Sequence, residues 1–173
     1  MDHYEFGITE DASAVTLSSA RTSSSNPWSI HSRDFKAFTG GGHADIGTQT
    51  AEGIILARDG LYEFDPQVNI SIRSRVDNIL SLQVVVDDSD GNNLQIFHVD
   101  SSVLPNTNVP FDIPLSGLTP PFDFSKGDRV YLRFLWQAAA SAGSATYTAS
   151  FQVTDTSAMP SFFRSRFFTL LRW

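Results

Sequence analysis

Leu61-Tyr62-Glu63-Phe64-Asp65-Pro66-Gln67-Val68-Asn69-Ile70-Ser71-Ile72 decides the fold class. Tyr62, Phe64, Val68, Ile70 and Ile72 alternate with Glu63, Asp65, Gln67, Asn69 and Ser71. A period of two is that of a strand with one face in a core and the other towards water or a partner. Pro66 cannot donate a ladder hydrogen bond, so it is expected at a bulge or a sheet edge.

Working outward, the same pattern returns. Leu80, Leu82, Val84 and Val86 alternate, and Asp87-Asp88-Ser89-Asp90-Gly91-Asn92-Asn93 breaks the run. Asp-Gly between two apolar runs predicts a hairpin, because Gly accepts a positive φ. Leu94 to Val99 is the return strand. Val109, Phe111, Ile113 and Leu115 alternate with Pro110, Asp112 and Pro114, and two prolines on one face predict an exposed edge. After the turn at Lys126-Gly127-Asp128, Val130, Leu132, Phe134 and Trp136 share one face of a strand. Its other face, Arg129, Tyr131, Arg133 and Leu135, is too apolar for plain solvent and suggests packing against another surface. Tyr147, Ala149, Phe151 and Val153 complete one more strand. Upstream, Gly40-Gly41-Gly42 marks a loop. Residues 1–28 are polar and Ser/Thr-rich without a sustained period, although Val15 and Leu17 could form a short strand. About seven to nine strands and no helix in the body predict a sandwich or jelly roll, and strand spacing does not choose between them.

Bulk properties agree. With 173 residues, 41% hydrophobic and 18% charged, the chain suits one globular domain able to bury about 70% of its unfolded surface. The division expected is an N-terminal arm, 1–28, a β domain, 29–156, and a tail, 157–173. The net charge is −7, which argues against nucleic acid as a partner. That charge is uneven, since the tail holds Arg164, Arg166 and Arg172 and no acid. There are no cysteines, which removes disulfides and thiolate zinc sites. Met1-Asp2-His3-Tyr4-Glu5 lacks the basic start and apolar core of a signal peptide, and no apolar run reaches spanning length. The expectation is a soluble protein made in a cytoplasm and used there or carried out on a larger particle.

Three segments resemble a known family. Ala57-Arg58-Asp59-Gly60-Leu61-Tyr62-Glu63-Phe64 is similar to the GxYxF segment of C1q/TNF-like domains. Phe124-Ser125-Lys126-Gly127-Asp128-Arg129-Val130-Tyr131-Leu132 resembles that family's GDxVxL segment, and Ala145 to Val153 its closing strand. They lie in the family's order and cover about residues 50–155. The resemblance implies a ten-stranded jelly-roll β-sandwich with terminal extensions, assembled as a homotrimer. By that analogy Tyr62, Phe64, Tyr131 and Phe151 belong to the core or to the threefold axis. This chain departs from animal secreted members in having no Gly-X-Y stretch, no signal peptide and no cysteine. Since the fold also serves on virus particles, the departure points towards a phage or viral structural protein.

Candidate chemistry is sparse. Asp88, Asp90 and Asn92 begin like a Ca²⁺ loop, but Val99 stands where an EF-hand's closing Glu would fall, and a plain solvated hairpin is the competing reading. His43 and Asp45 could share a strand face, yet no Gly-x-Ser-x-Gly is present. The four His, His3, His31, His43 and His98, lie scattered, unlike the converging ligands of a cupin-type enzyme. No catalytic residue and no cofactor is expected. The tail from Met159 to Trp173 is too apolar for water. If helical, Phe163, Phe167, Leu170 and Leu171 form one stripe. If extended, it could add a strand to a sheet edge. It packs on its own domain, docks on a neighbour through these residues and Trp173, or, least in keeping with the rest, touches a membrane surface.

The functional expectation is a non-enzymatic virion protein, made in the host cytoplasm. It would be a homotrimeric capsid decoration, a cement protein or a spike component attached to other virion proteins by its terminal arms. The alternative is a receptor- or glycan-binding module of the same fold, using the loops at Asp88–Asn93 and Ala138–Ala145.

Overall fold

The computed structural model describes residues 2–8, 15–20, 28–31, 38–39, 47–50, 53–74, 77–105, 109–138, 147–154 and 162–168. Side chains are described within 53–73, 77–105 and 109–137 and at Phe167. In chain order the strands are β1 (Asp2–Ile8), β2 (Val15–Ala20), β3 (Trp28–His31), β4 (Phe38–Thr39), β5 (Gly47–Thr50), β6 (Gly53–Leu56) and β7 (Gly60–Ser74). They continue with β8 (Asn78–Asp87), β9 (Asn93–Leu104), β10 (Phe111–Ser116), β11 (Phe122–Phe124), β12 (Arg129–Ala138), β13 (Tyr147–Thr154) and β14 (Phe162–Phe168). Among the described residues every regular element is a strand, and no helix is long and apolar enough to cross a membrane.

Two antiparallel sheets enclose the core. One runs β5-β6-β12-β8-β9, with β3 also on β12. The other is built around β7. On one side of β7, β10 and β11 lie end to end, opposite residues 67–72 and 60–62. On the other side, β13 and β14 lie end to end, opposite 69–74 and 61–67. Beyond them, β2 pairs with β13, and β1 with β14.

Alternation explains the core. Tyr62, Phe64, Val68, Ile70 and Ile72 of β7 meet Leu80, Leu82, Val84 and Val86 of β8 and Val130, Leu132, Phe134 and Trp136 of β12, all buried. The buried indole is paired, as desolvation requires: Trp136 Nε1–H donates to Asn78 Oδ1 at 2.8 Å.

Pro66 departs from expectation, occupying neither a bulge nor an edge but the middle of the central strand. In an antiparallel strand a residue's N–H and C=O point to the same side. The Pro66 carbonyl accepts from Gly117 N–H at 3.4 Å, so its missing donor falls in the gap between β10 and β11. Thr119 fills the same gap as a stand-in strand: its N–H donates to Phe64 O at 2.8 Å, and its Oγ1 accepts from Phe64 N–H at 2.8 Å. The strand number also exceeds the seven to nine expected, because β1, β3, β4, β5, β6 and β11 come from segments too short or too polar to show a period, and β14 from one that fits a strand and a helix alike.

Candidate functional site

The family-like segments are structural devices. In the Ser125–Asp128 turn, Gly127 adopts a φ of +94°. Asp128 Oδ2 accepts from Ser125 N–H at 2.8 Å, and Asp59 Oδ1 from Lys126 N–H at 2.7 Å. Leu56 and the turn exchange bonds, Leu56 N–H to Asp128 O at 2.9 Å and Gly127 N–H to Leu56 O at 2.8 Å. The turn thus locks β12 to β6 and to the start of β7. The Tyr62 hydroxyl donates to Arg58 O at 2.7 Å, and burial pushes its phenol up to about 12.

Of the four residues expected at core or axis, Tyr62 and Phe64 are fully buried in the single chain's core. Their rings stack at 6.1 Å and an interplanar angle of 10°. Phe151 stands in register between Ile72 and Val15. Tyr131 lies on the outer face of the β12 sheet, half-buried and opposite Val85. Val85 is buried yet lies outside the core cluster, and it pairs in turn with Ile96. Tyr131, Val85 and Ile96 therefore form an apolar row across that face, ending at β9. On the same face Arg133 Nε donates to Gln83 Oε1 at 2.8 Å.

That row leads to the exposed edge that Pro110 and Pro114 predicted; what sequence reading missed is how apolar the edge is. There β9, β10 and β11 bring the two sheets together. Asp100 Oδ2 accepts from Ser116 N–H at 2.9 Å, and the Phe97 and Phe122 rings lie 5.9 Å apart. Along this edge Val103 is 79% exposed, Val109 68%, Leu118 53%, Phe111 44% and Phe122 39%. Pattern places Phe111 inward with Ile113 and Leu115, but among the described residues β10 is paired only with β7, so the end of the sheet leaves it open. The available signal was Pro110 and Pro114 marking an edge beside residues too apolar for one. Aromatic rings continue inward from the edge: Phe122 to Phe124 at 4.9 Å, Phe124 to Phe64 at 6.0 Å, then Tyr62, and Tyr62 to Phe167 at 4.9 Å.

The expected Ca²⁺ ligands form a self-contained turn. Asp88 Oδ1 accepts from Asp90 N–H at 2.9 Å and Asn92 N–H at 2.8 Å, and Oδ2 from Asn92 Nδ2 at 3.1 Å. These bonds hold the Asp88 carboxyl below the usual range, and a cation would compete with them. Among the described residues no three His, Cys, Asp or Glu side chains come together as a metal site. His98 is exposed on β9; His43, Asp45 and the loop following Ala138 lie outside the described residues.

Of the tail residues, Phe167 is 4% exposed in the core. Phe163 stands opposite Pro66, while Leu170, Leu171 and Trp173 lie outside the described residues. The described tail is extended, not helical. Phe163 and Phe167 are four apart, a spacing that a period of two and a period of 3.6 both accept, so their sequence could not separate the options.

No protein-family model matches the chain, and no curated protein matches it. Solved structures do. Eiger TNF from S. frugiperda is 11% identical with a TM-score of 0.57, covering 99% of this chain and 94% of that one. A chain of infectious bursal disease virus, Gt strain, is 9% identical with a TM-score of 0.52, covering 95% of this chain but 33% of the viral one. The globular domain of zebrafish complement 1qA is 14% identical with a TM-score of 0.47, covering 98% of each. With two antiparallel sheets around one core and this likeness, the chain has the C1q/TNF-like jelly-roll fold.

Proposed function

We propose that the chain is a non-enzymatic structural protein of a virus particle, a homotrimeric decoration, cement or spike component made in the host cytoplasm. The observation that carries this reading is the apolar edge of β9, β10 and β11. A monomer that stays alone rarely leaves such residues together in water, and a neighbouring copy would cover them. The fold supports it, because the resemblance of the GxYxF and GDxVxL segments brings the expectation of a trimer. The likeness to a viral chain supports the particle. Attachment to other virion proteins is assigned to the terminal segments, with Leu170, Leu171 and Trp173 as contacts.

Solution mass by light scattering on a sizing column tests this. About three times 19.1 kDa is expected. A monodisperse monomer overturns the trimer and leaves a jelly-roll binding module, for which binding to a receptor or glycan through the exposed Asp88–Asn93 hairpin becomes the reading to pursue.

A further inference from the structure

β14 comes from the part of the chain whose charge opposes the rest, and its register uses that charge. Arg164 stands opposite Asp65 of β7 on one side and Glu5 of β1 on the other. Arg166 stands opposite Glu63 and His3. Opposite charges directly across a ladder favour a register, and like charges disfavour it. The smallest slip that preserves the faces is two residues. Sliding one way sets Arg164 against Glu63 and Arg166 against Leu61; sliding the other way sets them against Gln67 and Asp65. Either slip loses one charge pair across β7 and takes Phe167 away from Tyr62.

Phe167 anchors the strand. Its ring centroid lies 4.9 Å from that of Tyr62 and 5.8 Å from Arg58 Cζ. Gly60 leaves the room: a Cβ there would lie 2.5 Å from Phe167 Cε2. Thus β7 carries a built site for one extended segment, with acids in register for two arginines and a seat for a ring.

The tether is longer than the site requires. β13 ends with Thr154 opposite Asn69, and β14 begins with Phe162 opposite Gln67. Two residues of strand span about 7 Å, whereas the eight Cα steps from Thr154 to Phe162 reach about 26–29 Å. Every group that receives β14 exists in every copy of the chain, so the strand of a second copy fits without changing a contact, which is the condition for domain swapping. We propose that β7 is a strand-acceptor site and β14 an exchangeable strand, so that two copies couple by trading their β14 segments. The inference does not rest on the trimeric reading.

Two full-length variants test it: Arg164→Glu with Arg166→Glu, and Glu5→Arg with Glu63→Arg and Asp65→Arg. Alone, each sets like charges opposite one another within its own chain. Refolded together, each tail matches only the other variant's acceptor. A one-to-one mixed complex in native mass spectrometry, absent from either variant alone, is expected; its absence from a folded mixture overturns the proposal. Should either variant fail to fold, two milder ones decide. The chain has no cysteine, so Asp65→Cys and Arg164→Cys in separate chains supply the sole thiols. After co-refolding and oxidation, peptide mapping is expected to find a 65–164 link between chains. Finding none, while the double variant forms that link within one chain, overturns exchange.

Discussion

At the scale of single residues, the seat of Phe167 makes a sharp prediction. Gly60 has a φ of +153° and no room for a methyl group beside the Phe167 ring. Gly60→Ala should expel the ring and cost about 1.5–3 kcal/mol, the worth of one buried Phe, read as a lower urea midpoint. Adding Phe167→Ala should then cost much less than it does alone, because both substitutions empty the same space; additive costs would mean that Gly60 acts through its backbone only. Tyr62 predicts a pH dependence. Its phenol ionises at 10.0 when unperturbed and at about 12 in the fold, because burial penalises the anion. Between those values the unfolded chain releases a proton that the folded chain holds. Stability is therefore fully present below pH 10 and falls as pH rises to about 12. Tyr62→Phe should remove this component from the alkaline limb of a stability–pH curve; an unchanged limb would assign it to other groups.

Among elements, the β8–β9 hairpin depends on Asp88. Its carboxylate accepts three N–H groups of the turn, and these hold its pKa below 3.8. The charged form is thus favoured by folding: its contribution is present above the unfolded value and is lost as pH falls through the folded one. Asp88→Asn should flatten the acid limb of the stability curve and speed amide exchange at Asp90 and Asn92. An unaltered exchange rate would show that Gly91, at a φ of +87°, sets the turn without help. This hairpin was legible from Asp-Gly, as β7, β8, β12 and β13 were from strict alternation; β7, β8 and β12 each set one face on the core. β14 was not legible, since Phe163 and Phe167 satisfy two periods at once. The missing information lay far back in the chain, in Glu63 and Asp65, whose spacing matches Arg166 and Arg164. For the apolar surface the outcome was divided. Tyr131 lies on an outer face as its alternation required, whereas Val103, Val109 and Leu118 belong to strand ends and loops, where no pattern tells an exposed apolar side chain from a buried one.

For the whole molecule, the question is what covers the β9–β10–β11 edge. Edge strands invite pairing with other chains, and proteins that stay single guard them with charge and proline. Here Pro110 and Pro114 are exposed guards, while Val103 at 79% and Leu118 at 53% exposure oppose them. Prolines block a ladder from forming across β10 but do not block side-chain packing. The combination suits a neighbour that buries the edge against a face without extending the sheet. Val103→Glu with Leu118→Glu should test this cleanly. Both positions are open in the single chain, so each change should alter its stability by no more than about 0.5 kcal/mol. At an interface, two carboxylates would lose their water against a body already at −7, a cost of several kcal/mol for ions buried unpaired. The variant should therefore run as a folded monomer near 19.1 kDa at concentrations where, on the proposed reading, the parent assembles as a trimer. If it assembles as well as the parent, the edge is not the interface, and the outer row of Tyr131, Val85 and Ile96 becomes the face to substitute next.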